Sequence, residues 1–213
     1  MTTITAEAFV NAFTSSYQAC QNEFNDETWQ ATWGDTDAWS HLILSRPPQK
    51  CVLQMTAEEL RVEYWPREPM HLDGVFWPAD GIATRTVRGS IPIPILVALE
   101  HENNISSFSE EIAKLLYVRA PLKVGITYIL RNGHDANTKF QQEQSRIIRE
   151  AAGLESIISQ WLPEQADAEY LYLVGVEHEA RQLEWWYYKF NANNGPNSGT
   201  WQKAAQHAAG AGR

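Results

Sequence analysis

Cysteine is scarce in this 213-residue chain: only Cys20 and Cys51 occur, 31 positions apart and in no CxxC or CxxH pairing. That spacing supports neither a disulfide framework nor a structural zinc site, and it suits a reducing cytoplasm, the compartment expected here. Long hydrophobic runs are lacking too. The longest, Ile91 to Leu99, has nine residues and two of them are proline, whereas a spanning helix needs about 20. The opening Met1-Thr2-Thr3-Ile4-Thr5 is not a basic stretch leading into an apolar one, so no signal peptide is read there. Positive charge is also short, with 17 Lys+Arg against 26 Asp+Glu and a formal net charge of −9. Binding nucleic acid through a general excess of cations is thereby excluded. A metal-dependent nuclease is not, because a cation site is itself acidic. No Walker loop, GxGxxG, GxSxG or HExxH is present, which leaves kinase, dehydrogenase, serine hydrolase and zinc protease readings without a motif.

What is present is an ordinary globular composition, 44% hydrophobic and 20% charged, on a length that fits one domain. Residues 5–20 read as a helix capped by Thr5, with Phe9, Val10, Phe13 and Tyr17 at helical spacing. Residues 21–48, carrying Trp29, Trp33 and Trp39, read as a loop or short helix lying on the core and ended by Pro47-Pro48. The period then changes to two. Residues 51–55 and 60–65 read as paired strands around a turn that could also open a short helix, and 71–77 as a third strand. Residues 91–102 read as a fourth, apolar enough to be central. Ser107-Phe108-Ser109-Glu110 is a capping box that starts a helix near 107–118. A strand over 122–130 follows, and a strand–helix–strand order of this length implies a right-handed crossover between parallel strands. A long helix over 136–162 and a strand pair at 169–176 and 183–190 complete the pattern. The expected fold is a single α/β domain over 1–190, a mixed central sheet flanked by helices, with 191–213 a loop and a loosely ordered Ala/Gly-rich tail.

The chemically loaded segment is Val97-Ala98-Leu99-Glu100-His101-Glu102-Asn103. On a strand, Glu100 and Glu102 point to one face and His101 to the other. Two carboxylates at the polar end of an apolar strand are costly unless paired, hydrated or bound to a cation. Asp73, in Leu72-Asp73-Gly74-Val75-Phe76-Trp77, is likewise a lone acid beside an apolar strand. If the two strands are neighbours, Asp73, Glu100 and Glu102 converge on one divalent ion, and an all-oxygen ligand set suits Mg²⁺ or Mn²⁺.

An Asp on one strand, an acid-x-acid at the end of the next, then a helix and a strand, resembles the PD-(D/E)xK nuclease superfamily over residues 51–130. The resemblance implies a restriction-endonuclease-like core, a metal-dependent endonuclease acting on DNA, and possible homodimers. It implies that Asp73 and Glu100 are metal ligands. Glu102 stands where the family usually has Lys; it serves as base or second metal ligand, or else Lys114 on the following helix supplies the ammonium. The alternative is a nuclease-fold module that has lost catalysis and binds a protein partner.

The neighbouring residues divide between chemistry and plain structure. Lys114 is spaced to pair with Glu110 on the helix surface. Glu111 projects beside the Phe108/Ile112/Leu115 stripe toward the sheet and can add a carboxylate, and Glu63 on the adjoining strand is an auxiliary candidate. His101 reads as a packed or hydrogen-bonded core histidine. Arg85, Arg88, Lys139, Arg146 and Arg149 are the candidates for lining a nucleic-acid groove, although each taken singly reads first as an ordinary surface charge. A second Glu-His-Glu spelling at Glu177-His178-Glu179 lacks a preceding Asp strand and is read as chance.

Overall fold

Thr5 opens the first helix as read, its hydroxyl accepting from the Ala8 N–H, and α1 runs over Ala6–Glu23. The computed structural model describes residues 3–24, 26–33, 35–45, 50–66, 72–80, 82–86, 89–130, 136–177, 182–194 and 199–205. Pro47-Pro48, His71, Gly81, Arg88, Asn132-Gly133, His178-Glu179 and the chain end from 206 lie outside them, and nothing is described of the Arg85 side chain. Two helices, α2 (Asp26–Trp33) and α3 (Thr36–Leu44), occupy the segment read as a loop or short helix, and Trp29 and Trp39 are buried on the core.

Residues 51–55 are not a strand. They begin α4 (Val52–Glu59), for which Cys51 is the N-cap, its Sγ accepting from the Gln54 N–H. Val52, Leu53, Thr56 and Ala57 form its buried side at i, i+1, i+4 and i+5, a helical period that a run this short also lets pass as alternation. The partner of β1 (Val62–Trp65) is instead β2 (Gly74–Pro78).

The stretch read as one strand over 91–102 is divided. Its first part belongs to β4 (Gly89–Ile93), paired with β3 (Ile82–Thr86) in a separate two-stranded sheet, and β5 (Val97–Glu102) enters the main sheet only after Pro94. Pro92 and Pro94 have no N–H to donate, which bars them from a central ladder.

β5 leads through α5 (Phe108–Leu115) to β6 (Leu122–Ile129), parallel to it; α6 (Ala136–Trp161) then leads to β7 (Glu169–Glu177), parallel to β6. β8 (Leu183–Asn191) turns back antiparallel, and β9 (Thr200–Lys203) adds an edge strand within the tail expected to be loose. The result is a mixed seven-stranded sheet in the order β1-β2-β5-β6-β7-β8-β9.

Helices cover both faces. Val97, Leu99, Val124, Ile126, Leu171 and Leu173 pack with α1, α3 and α4, while Ala98, Tyr170, Tyr172 and Val174 pack with α5 and α6. Central strands buried on both sides are the expected consequence of parallel crossovers. Among the described residues no helix is long and apolar enough to cross a membrane.

Candidate functional site

β2 and β5 are neighbours, with Gly74 opposite Leu99 and Val75 opposite Ala98. Carried one residue further, that antiparallel register sets Asp73 opposite Glu100. Asp73 is held there by its Oδ2, which accepts from the His101 N–H at 2.8 Å. Glu100 shares the α5 side of the sheet with Ala98, and in β6 it stands opposite Gly125. Gly125 permits the close approach of α5: a Cβ there would lie 2.0 Å from Ile112 Cδ1 and 2.7 Å from Phe108 Cζ. The approach sets Glu111 and Lys114, which share one face of α5, against Glu100. Lys114 Nζ lies 3.9 Å from Glu100 Oε2 and bonds Glu111 Oε2. The helical partner expected for Lys114, Glu110, is exposed; the ammonium turns to Glu111 and the sheet instead.

Glu100 is 1% exposed, and neither of its carboxylate oxygens receives a hydrogen bond. Burial, first, and the Asp73 carboxylate, second, push its pKa up to about 9; Lys114 opposes the shift. Burial also raises Asp73, offset by the His101 N–H and by Lys114. Without a cation, the raised pKa leaves Glu100 in its neutral form at pH 7. On the Glu111 side, Lys114 is raised chiefly by its hydrogen bond to Glu111.

Orphaned oxygens in a hard, all-oxygen set fit a divalent cation such as Mg²⁺, which needs only one or two protein carboxylates and completes its shell with water and phosphate. Among the described residues no group of three or more His, Cys, Asp and Glu side chains is gathered for a metal. The fit is therefore for an ion held by the Asp73–Glu100 pair and not by a full protein cage.

The remaining candidates stand elsewhere. Glu102 is half-buried at the end of β5, where its Oε1 accepts from the Asn104 N–H at 2.7 Å. Glu63 is exposed on β1, the edge strand. Arg146 pairs with Glu143 and Glu150 on its own helix and donates to the Ile105 carbonyl. Lys139 is half-buried and Arg149 exposed on the same helix. His101 is buried, with Nε2 2.9 Å from the Tyr128 hydroxyl, the core histidine that its side of the strand implied.

Two features have no counterpart in the sequence reading. Lys123 on β6 is fully buried, donating to Gln165 Oε1 at 2.7 Å and to the Tyr170 hydroxyl at 3.1 Å. A cavity of about 80 Å³ opens beside Asn103, lined by Trp33, Thr36, Trp39, Asn103, Tyr128 and Leu130. The Trp29/Trp33/Trp39 spacing was the signal available for it; Asn103 and Tyr128 come together only through the parallel pairing of β5 with β6. No protein-family model matches the chain, and no curated protein or solved structure is significantly similar to it.

Proposed function

We propose that the chain is a Mg²⁺- or Mn²⁺-dependent phosphodiester hydrolase of PD-(D/E)xK type that cleaves DNA, with a restriction-endonuclease-like core formed by β1, β2, β5, α5 and β6. The observation that carries the reading is Glu100, a buried carboxylate with no donor on either oxygen, set opposite Asp73 across neighbouring strands and 3.9 Å from an ammonium. A helix surface pair or a solvated strand face explains none of these three facts together.

In this reading Asp73 and Glu100 hold the cation. When bound, the cation lowers the pKa of a water and offsets charge that builds on the phosphoryl oxygens. The His101 N–H fixes the Asp73 carboxylate through Oδ2. Lys114 takes the role of the motif ammonium: placed between Glu100 and Glu111, it aligns the attacking water and offsets negative charge on the phosphate. Glu111 holds the Lys114 side chain in place. Glu102, tied to its own turn, is left outside the reacting set.

A cleavage assay tests the proposal: plasmid DNA, with single-stranded DNA and RNA alongside, incubated with Mn²⁺ or Mg²⁺. The expected result is metal-dependent nicking or cutting that Glu100→Ala and Asp73→Ala abolish, that Lys114→Ala lowers by about 10²-fold or more, and that Glu102→Ala spares. Absence of metal-dependent cutting on every substrate would reject catalysis and favour the protein-binding module. The Glu at the usual Lys position and the exposed Tyr117 and Trp161 side chains suit that second reading.

A further inference from the structure

The aromatic cavity sits at the same end of β5 as the acids but on the other side of the sheet. Three of its walls are Trp33, Trp39 and Tyr128, with Trp39 edge-on to Trp33 at 4.9 Å and to Tyr128 at 5.5 Å between ring centres. Its volume, about 80 Å³, is several times the roughly 10–15 Å³ that a single water requires.

The walls are fixed by hydrogen bonds. The Tyr128 ring stands edge-on to Trp39, and its hydroxyl is held 2.9 Å from His101 Nε2. Asn103 gives its amide nitrogen to Ser40 Oγ at 2.8 Å, which turns its carbonyl oxygen into the group for a ligand's N–H. Thr36, in the first turn of α3, adds a hydroxyl at the rim.

This lining selects its occupant by charge and shape. The apolar rings and the Asp35 and Asp37 carboxylates that flank Thr36 at the start of α3 disfavour an anion. A flat, neutral ring with N–H donors on its edge suits the aromatic walls and the amide of Asn103. His101 joins the two sites, since its side chain orients Tyr128 while its backbone N–H holds Asp73. Asn103 follows Glu100 by three residues, about 10 Å along an extended chain, a span that a nucleotide next to a bound phosphate can bridge.

We infer that the Trp33/Trp39/Tyr128/Asn103 cavity binds a single unpaired nucleobase of the nucleic acid whose phosphate lies at Asp73 and Glu100. The inference rests on the hydrolase reading for where the base comes from. The cavity's affinity for the base itself stands apart from catalysis.

The test uses the full chain and the free nucleosides adenosine, guanosine, cytidine and thymidine, one at a time. The readout is the indole N–H resonances of Trp33 and Trp39, assigned from Trp33→Phe and Trp39→Phe. At least one nucleoside is expected to shift both signals saturably. Trp33→Leu should weaken that binding about tenfold or more, the loss expected for a stacking platform, and Asn103→Ala should change the order of preference among the four bases. Glu100→Ala should bind nucleosides as the unmodified chain does, so loss of cleavage and loss of base binding are read separately. No saturable shift with any nucleoside up to its solubility limit would overturn the inference. So would unchanged binding in both Trp33→Leu and Asn103→Ala, or a response to tetramethylammonium without one to any nucleoside.

Discussion

Three ionisable groups on the central strands, Glu100, His101 and Lys123, are pushed toward their neutral forms, and desolvation is the largest cause for each. The consequences for stability differ in sign. Glu100 has a folded pKa of about 9 against an ordinary value of 4.5, so between those values the folded chain holds a proton that the unfolded chain has lost. Its contribution to stability therefore falls as pH rises through that window. In the absence of divalent cations, Glu100→Gln is expected to be more stable than the parent at pH 8, by roughly 1–4 kcal/mol, and the gap should close at pH 4.5. Urea melts at the two pH values measure it. Lys123 runs the other way. With a folded pKa of about 8 against 10.5, it is the unfolded chain that binds more protons, and stability from this group rises between those values. The parent chain should gain about 3 kcal/mol relative to Lys123→Met from pH 8 to 10.5; a parallel pH dependence of the two would mean that Lys123 is not desolvated. Nothing in the spelling Leu122-Lys123-Val124 marks that lysine as buried, because its cover, Gln165 and Tyr170, arrives more than 40 residues later. Asp73, a lone acid beside an apolar strand, and Glu100, one of two carboxylates at the end of another, were by contrast legible.

The helix α5 is the element that makes a site out of these residues, and Gly125 is the point on which it rests. Gly125→Ala would drive a methyl into Ile112 and Phe108, and the misfit should cost about 1–3 kcal/mol. Because the same shift carries Glu111 and Lys114 away from Glu100, metal-dependent cleavage should fall further than the lost stability explains when assayed well below the melting temperature. Gly153→Ala is the control. It lies on the exposed side of α6 with nothing within 4 Å of a new Cβ, and should stabilise by about 0.5–1 kcal/mol with activity unchanged. Calorimetric melts and the cleavage assay on the two variants check both statements. The elements that the sequence made plain are those with long, regular periods, α1, β6, α6 and the β7–β8 pair. The misread ones were short or interrupted. α4 has two helical turns, too few to separate its period from a strand's, and the two prolines before β5 divided a run that hydrophobicity alone joined. β9 has no hydrophobic pattern to announce it; its place comes from pairing with β8.

A chain of net charge −9 meets a polyanion at a disadvantage, and the arrangement of the molecule determines where that disadvantage can be overcome. Of the basic residues considered for a groove, Arg146 is engaged with Glu143, Glu150 and the Ile105 carbonyl, so α6 offers less free positive charge than its sequence suggests. In the proposed function, a divalent ion at the Asp73–Glu100 pair is then the main means of offsetting acid where phosphate approaches. Under the same proposal, binding and chemistry thus depend on one event, the capture of a cation by the buried Glu100 and the half-buried Asp73. Calorimetric titration of the metal-free protein with Mn²⁺ at pH 7.5, in two buffers of different ionisation enthalpy, measures that event directly. The expected result is one ion per chain, bound with release of a proton from Glu100, lost in Glu100→Gln and kept in Glu102→Gln. No saturable Mn²⁺ binding, or binding that survives Glu100→Gln, would contradict it.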